Sequence, residues 1–379
     1  MKLPQPIVLV FLLHALSQGG LFTRIPDLQS GLNLTEAELG LALLGQPFGA
    51  ILMFLVSSTL VERLGTRLVI LVTIPALAIA MVLTALAPSL PLMWLGFALW
   101  GSVFALSNVA INVEADRVEA ASGKRLMNTC HGVWSLGLLI SALVGTAMRG
   151  ANVPPALHFA IMAAVVVVGI LVVALPMQAA SPRAHAQSGG SKRVRIALPT
   201  TMTLLLVGYA FGSALLEGGL RNWSVIFMRD SFAAPEWVDT LTLPAFMAAQ
   251  SIGRLLADRA VMRWGPVRLA RGLGVTALIG LLLVIFSPNL VVALVGFTLI
   301  GAGVCVAFPL SASAAARLGD RPASQNVAAL TMSQQVLLLG TPAILGWIAT
   351  TASIRVTFAV MVPPLLLAIC LARYLAPKE

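Results

Sequence analysis

Apolar residues in this chain do not alternate. They run in blocks of roughly 20, the length a helix needs to cross the hydrocarbon core of a bilayer, and each block ends at a polar, Pro or Gly break. The blocks lie near 5–23, 36–61, 68–87, 91–113, 126–149 and 155–176, and again near 197–220, 237–257, 267–287, 290–315, 325–350 and 355–375. A backbone in lipid must satisfy its own hydrogen bonds, so each block is read as a helix. The pattern predicts an all-α membrane protein with twelve transmembrane helices. The one long polar stretch, rich in Ser, Gly, Pro and basic residues, divides the chain. It gives an N-terminal six-helix bundle over 1–178, a flexible cytoplasmic linker over 179–195 and a C-terminal six-helix bundle over 196–379. The first block, Ile7 to Leu21, has the length of a signal peptide, but no Ala-x-Ala-type cleavage site follows it, and it is expected to be retained.

The two halves answer each other at a spacing near 200 residues. Gln18-Gly19-Gly20-Leu21 matches Glu217-Gly218-Gly219-Leu220, and Glu62-Arg63 matches Asp258-Arg259. Gly65 and Arg67 match Gly265 and Arg268, while Gly101 and Arg117 match Gly301 and Arg317. Two related six-helix bundles are the duplication of secondary transporters, with the substrate cavity expected between them.

Composition and charge sharpen this picture. The chain is 59% hydrophobic and 10% charged, against roughly 25% charged in soluble domains. Of 24 Lys and Arg residues, only Arg24, Arg149, Arg221, Arg229 and Arg355 fall at one set of turns; the other 19 fall at the alternate turns, linker and chain ends. Inner loops retain Lys and Arg, which places both termini in the cytoplasm of a bacterial-type inner membrane. The net charge of +10 is thereby a matter of topology and anionic lipid, not of nucleic acid. Cys130, Cys305 and Cys370 lie in apolar stretches without metal or disulfide spacing. There is no Gly-x-Ser-x-Gly elbow and no Gly-x-x-x-x-Gly-Lys-Ser/Thr loop, so neither an enzyme nor ATP coupling is expected, and no metal or cofactor.

Ser58-Thr-Leu-Val-Glu62-Arg63-Leu-Gly65-Thr-Arg67 resembles the signature loop between spans two and three of the major facilitator superfamily. Gly253-Arg254-Leu-Leu-Ala-Asp258-Arg259 is similar to its second-half copy. The resemblance implies the major facilitator fold, two pseudo-symmetric bundles, and a conformational latch of Glu62, Arg63, Arg67, Asp258 and Arg259 held by charge-assisted hydrogen bonds. Arg24-Ile25-Pro26-x-Leu28-Gln29, Asn108-Val-Ala-Ile-Asn112 and Leu126-Met-Asn128-x-x-His131-Gly132-x-Trp134-Ser135-Leu-Gly137 resemble the fucose permease branch. They also resemble its bacterial inner-membrane relatives akin to the rhizobial rhizopine-transport protein. The acids that the sugar-proton symporters of that branch carry are replaced here by Phe22 and Asn108, so coupling through those positions is not implied. The fifth span also lacks the Gly-Pro run of the superfamily's drug antiporters; Gly340-Thr-Pro342 lies in the eleventh.

Ionisable groups at membrane depth are costly, and each is a candidate for function. Glu217, read as a turn inside the outer end of the seventh span, is the candidate proton carrier and substrate contact; its alternative is a permanent pair with Arg221, four residues on. Gln18 holds the repeat-related place in the first span, and His14 lies one turn away on the same face, where it either titrates or packs. Asn108 and Asn112 form a polar stripe suited to a hydroxylated solute or to helix contacts. Trp134 and Gln334 complete the candidate substrate set, with Gln250 and Gln335 as further polar groups; Phe308 and Ala312 replace the two asparagines in the second half. Glu114 and Asp116 are read as gate or loop charges, Asn128 and His131 as sharing one face, and Trp223 as an interface anchor.

The expected function is secondary active transport of a small polar organic solute, sugar- or cyclitol-like, by alternating access coupled to protons. The alternatives are proton-coupled efflux of amphipathic compounds and a membrane sensor that binds without transporting. The expected partners are the solute, protons and membrane lipids, around a monomer.

Overall fold

The computed structural model describes residues 5–18, 20–123, 126–178 and 198–376, without the side chains of Asn128 and Ser324. The stretch 179–195, read as the linker, lies outside these residues. So do Lys2, Lys124, Arg125 and Lys378 of the basic set.

The chain divides into two compact units, Met1–Arg193 and Val194–Glu379. Unit 1 contains α1 (Pro6–Leu16), α2 (Leu21–Gly31), α3 (Glu36–Leu64), α4 (Thr66–Ala85), α5 (Leu90–Ser122), α6 (Met127–Gly150) and α7 (Pro155–Ala174). Unit 2 contains α8 (Thr201–Ser231), the short α9 (Glu236–Asp239), α10 (Thr242–Trp264), α11 (Pro266–Ile285), α12 (Leu290–Val304), α13 (Ala307–Ala316), α14 (Ala323–Leu338), α15 (Thr341–Thr351), α16 (Ile354–Ala359) and α17 (Val362–Leu371). All regular structure among the described residues is helical.

Several expected spans are broken helices. Paired as α1–α2, α12–α13, α14–α15 and α16–α17, they leave 11 runs long and apolar enough to cross a membrane. The twelfth, α10, is 23 residues long and is not among them; it carries Arg254, Asp258, Arg259 and Arg263. Proline explains one break directly. Pro309 has no N–H for the carbonyl four residues earlier, Cys305, and the helix is interrupted at Cys305–Val306.

The bundles are built around close backbone approaches at glycine. A Cβ on Gly101 of α5 would lie 2.0 Å from Gln46 O of α3, and one on Gly301 of α12 would lie 2.4 Å from Phe246 O of α10. These partners are themselves 200 residues apart, so the repeat seen in sequence is a repeat of packing. Gly65 and Gly265, which close α3 and α10, share the positive φ of 80° and 75° that lets each chain turn straight into the next helix. Large apolar side chains such as Leu55, Val172 and Leu255 stay exposed, as befits helices surrounded by lipid.

Two expectations are corrected. The first and seventh spans do not stop at 23 and 220. Beyond α1, which ends at Leu16, α2 runs from Leu21 to Gly31, and α8 runs unbroken for 31 residues to Ser231. Arg24 and Arg221 were assigned to outer turns and instead lie inside helices, because each is paired within its own bundle (below). Trp223 is 0% exposed; it is a core residue of α8, not an interface anchor.

Candidate functional site

In unit 1 the predicted residues of α1, α5 and α6 meet at His14. The ring is fully buried, stacked on Phe104 with centroids 5.5 Å apart. Trp134 Nε1 donates to His14 Nδ1 at 3.1 Å, and Gln18 Nε2 approaches the same atom at 3.3 Å while donating to His14 O at 3.0 Å. With Nδ1 accepting, the ring proton belongs on Nε2, where it is donated to Ser107 Oγ at 2.9 Å. Ser107 in turn donates to Phe104 O at 2.9 Å. His14, Gln18 and Trp134 therefore form one neutral hydrogen-bonded hub joining three helices. Asn108 and Asn112 are half-buried, and Asn112 Nδ2 donates to Asn108 O at 2.8 Å within α5. His131 is exposed, with its ring edge-on to Phe11.

Unit 1 also carries a charge cluster that sequence reasoning missed. Arg24 donates to Asp27 Oδ2 at 3.0 Å, to Val153 O at 3.0 Å and to His158 Nδ1 at 3.2 Å. Arg149, in the last turn of α6, lies 3.3 Å from Asp27 Oδ1. Both guanidiniums are 3% exposed. The i,i+3 spacing of Arg24 and Asp27 could have signalled their pair, but nothing local pointed to Arg149 or to His158, 134 residues away in sequence.

At the other end of the bundle, Glu114 is a correction. It is not a loop charge but a fully buried carboxylate inside α5, accepting from Thr66 Oγ1 at 2.5 Å. Its helix extends to Ser122, where Glu119 Oε2 accepts the backbone N–H groups of Leu126 and Met127 at 2.7 and 2.9 Å and leads the chain into α6. Of the expected latch, Arg67 docks the start of α4 on the end of α7 by donating to Ala174 O and Leu175 O. Glu62, Arg63, Asp258 and Arg259 are exposed, with no ion pair among the described residues.

In unit 2, Tyr209, Ser213, Glu217 and Arg221 follow each other at four-residue spacing along one side of α8, and Tyr209 and Ser213 are buried. Glu217 is mid-helix, not a turn from the outer end, because α8 continues 14 residues past it to Ser231. Arg221 donates to Glu217 Oε1 at 2.5 Å, with the two side chains 24% and 23% exposed. Gln250 and Arg254 of α10 stand near the same carboxylate. Gln250 is buried, and its Nε2 turns toward Glu217 without reaching hydrogen-bond geometry. Arg254 Nε donates at 3.3 Å to Cys305 O, the carbonyl released by Pro309. Sequence reasoning had placed Arg254 among the cytoplasmic charges; it lies near the middle of α10, ten residues before its end at Trp264. Gln334 is buried on α14 and joins this group by no hydrogen bond among the described residues. No group of three or more His, Cys, Asp or Glu among the described residues is placed to hold a metal.

Comparison with known proteins agrees with this architecture. The chain is 30% identical over 352 residues to the uncharacterized transporter y4wD of Sinorhizobium fredii, covering 93% of this chain and 92% of that one. It is 25% identical to the membrane protein MosC of Rhizobium meliloti, over 89% and 82% of the respective chains. Among solved structures, the nucleoside transporter NupG (D323A mutant) superposes with a TM-score of 0.77 at 15% identity, over 98% of both chains. A D-xylose-proton symporter does so with a TM-score of 0.71 at 11% identity, over 98% and 95%; at such identities the likeness is one of fold. The family model described as Major Facilitator Superfamily matches residues 7–337, and this chain is a multi-pass membrane transporter belonging to that superfamily, not an enzyme.

Proposed function

We propose that the chain moves a small polar organic solute, sugar- or cyclitol-derived, across a bacterial inner membrane by alternating access, with protons as the coupling ion. The observation that carries this reading is the polar side of α8, where Tyr209, Ser213, Glu217 and Arg221 stand at mid-helix opposite Gln250 and Arg254. Charge at membrane depth is costly without a purpose or a partner, and an amphipathic efflux substrate would be met by a more apolar second half. The nucleoside transporter and the D-xylose-proton symporter that share the fold are named for polar solutes, which supports the same class. Positive charge at alternate turns puts both termini in the cytoplasm.

Glu217 is the coupling group in this reading. Ionised, it holds Arg221 at 2.5 Å; protonated, it releases the guanidinium, so one proton changes how α8 presents its donors. Gln18, Asn108, Asn112, Trp134 and Gln334 line the solute path, and His14 orients Gln18 and Trp134. Glu62, Arg63, Arg67, Asp258 and Arg259 act as the latch of the inner loops.

The test is transport by purified protein in liposomes. Glu217→Gln is expected to abolish uptake driven by a pH gradient while retaining solute exchange at equal pH. Gradient-driven uptake at the wild-type rate in that variant would remove Glu217 from the mechanism.

A further inference from the structure

The buried side-chain atoms near Glu217 that have no hydrogen bond are donors. Arg254 has five N–H donors, of which only Nε has a hydrogen bond among the described residues, to Cys305 O. Gln250 Nε2 and Arg221 Nε are buried with no hydrogen-bond partner. Each of these is a donor, and the only carboxylate among them is already engaged by Arg221. The charges do not cancel either: Arg221 and Arg254 oppose Glu217 alone. The other described acids of unit 2 are Asp230 at the end of α8, Glu236 and Asp239 in α9, Asp258 one turn beyond Arg254, and Asp320 in the turn after α13. Asp258 is exposed without an ion pair among the described residues.

Arg254 is not simply a lipid-edge charge. Ile252, Leu255 and Leu256, at 58%, 78% and 53% exposure, mark the lipid-facing side of α10. Arg254 lies on the other side of the helix, one turn from the buried Gln250 and against the α12–α13 break. Holding that freed carbonyl requires one neutral donor; it does not require a guanidinium in the middle of a membrane helix. Arg254 is exposed on that side, so its open donors are within reach of a ligand, and a guanidinium there beside the buried Gln250 Nε2 and Arg221 Nε suits an anion.

We infer that the transported solute is a small organic monoanion, a hydroxylated carboxylate of sugar-acid type, whose carboxylate is bound by the Arg254 guanidinium while Gln250 Nε2 and Arg221 donate to its neighbouring oxygens. This rests on the transport reading above and narrows its substrate class from polar to anionic. Arg254 supplies a two-pronged donor set that matches a carboxylate, and the bound anion brings the group of Arg221, Arg254 and Glu217 to neutrality. A neutral polyol leaves that positive charge uncompensated.

The experiment compares matched probes on the full chain: galacturonate with galactose, gluconate with sorbitol, and lactate with propane-1,2-diol. Binding is read by thermal shift of purified protein and movement by counterflow in proteoliposomes, for wild type, Arg254→Gln and Arg254→Lys. The expected result is that at least one anion acts at concentrations tenfold or more below its neutral partner. Arg254→Gln should erase that preference, and Arg254→Lys should keep part of it. Arg254→Gln must unfold within a few degrees of wild type for its result to be scored, and the wild-type preference stands as an independent readout. Transport of a neutral probe equal to or better than its anion, unaltered by Arg254→Gln, overturns the anionic assignment and leaves the transport reading intact. Movement of no probe of either charge by folded wild-type protein counts against both.

Discussion

Unit 1 and unit 2 both carry ionised side chains inside helices, but they bury them to different depths. In unit 1, Arg24 and Arg149 are 3% exposed around Asp27, and Arg24 also reaches a backbone carbonyl and His158. In unit 2, Glu217 and Arg221 are each about a quarter exposed, and the donors of Gln250 and Arg254 beside them are largely unused. A charge buried within its own bundle contributes rigidity; one partly exposed, as Glu217, Arg221 and Arg254 are, is within reach of a ligand or a proton. His14 spends both ring nitrogens on Ser107, Trp134 and Gln18, whereas Gln250 is buried with an idle amide.

The contrast breaks most readily at Asp27. Asp27→Asn leaves two buried guanidiniums facing a neutral amide and should cost about 3 kcal/mol of stability, the range for removing one partner of a buried pair, read as a lowered apparent Tm in detergent. A loss under about 0.5 kcal/mol would mean that this cluster is not structural. Thr66→Val should cost about 2 kcal/mol, since it removes a hydroxyl that donates to the buried Glu114 carboxylate; the isosteric change isolates the hydrogen bond from packing. Glu217→Gln should cost only about 1 kcal/mol, because the pair it breaks is partly solvated, while its effect on coupling is complete. That split between stability and function is what distinguishes unit 2 from unit 1, and equal stability losses for Asp27→Asn and Glu217→Gln would erase it.

The smallest effect belongs to a surface turn. The Asn326 amide, 2.7 Å away, holds the Asp320 carboxyl below its usual range. A depressed carboxylate stabilises the fold above its unfolded-state pKa and loses that contribution as pH falls through the folded value. Asp320→Asn should therefore lower Tm slightly at neutral pH and not at all in acid below both pKa values. A larger difference in acid than at neutrality would reverse the assignment.

Much of the architecture was legible in the chain. Block length set the spans, the basic residues at alternate turns set an expected sidedness, and the 200-residue repeat of Gly101 with Gly301 anticipated matching close approaches in both bundles. The stripe of Glu217 and Arg221 was legible as well, since both lie on one helix face. Less legible was where charged helices end. Arg24 and Arg221 read as loop residues because isolated charges normally terminate an apolar span, and Glu114 read as a gate charge for the same reason.

Span length, repeat and charge bias are properties of short windows of sequence, and physical chemistry acts on them locally: about 20 apolar residues cross a bilayer whatever they later touch. Whether a charge inside a span is filled, open or excluded depends on what another helix brings to it. Thr66 reaches Glu114 across 48 residues and Arg254 reaches Cys305 across 51. Such meetings are decided by helix packing and by a proline that frees one carbonyl, so only the tertiary structure separated the buried charges of unit 1 from the accessible ones of unit 2.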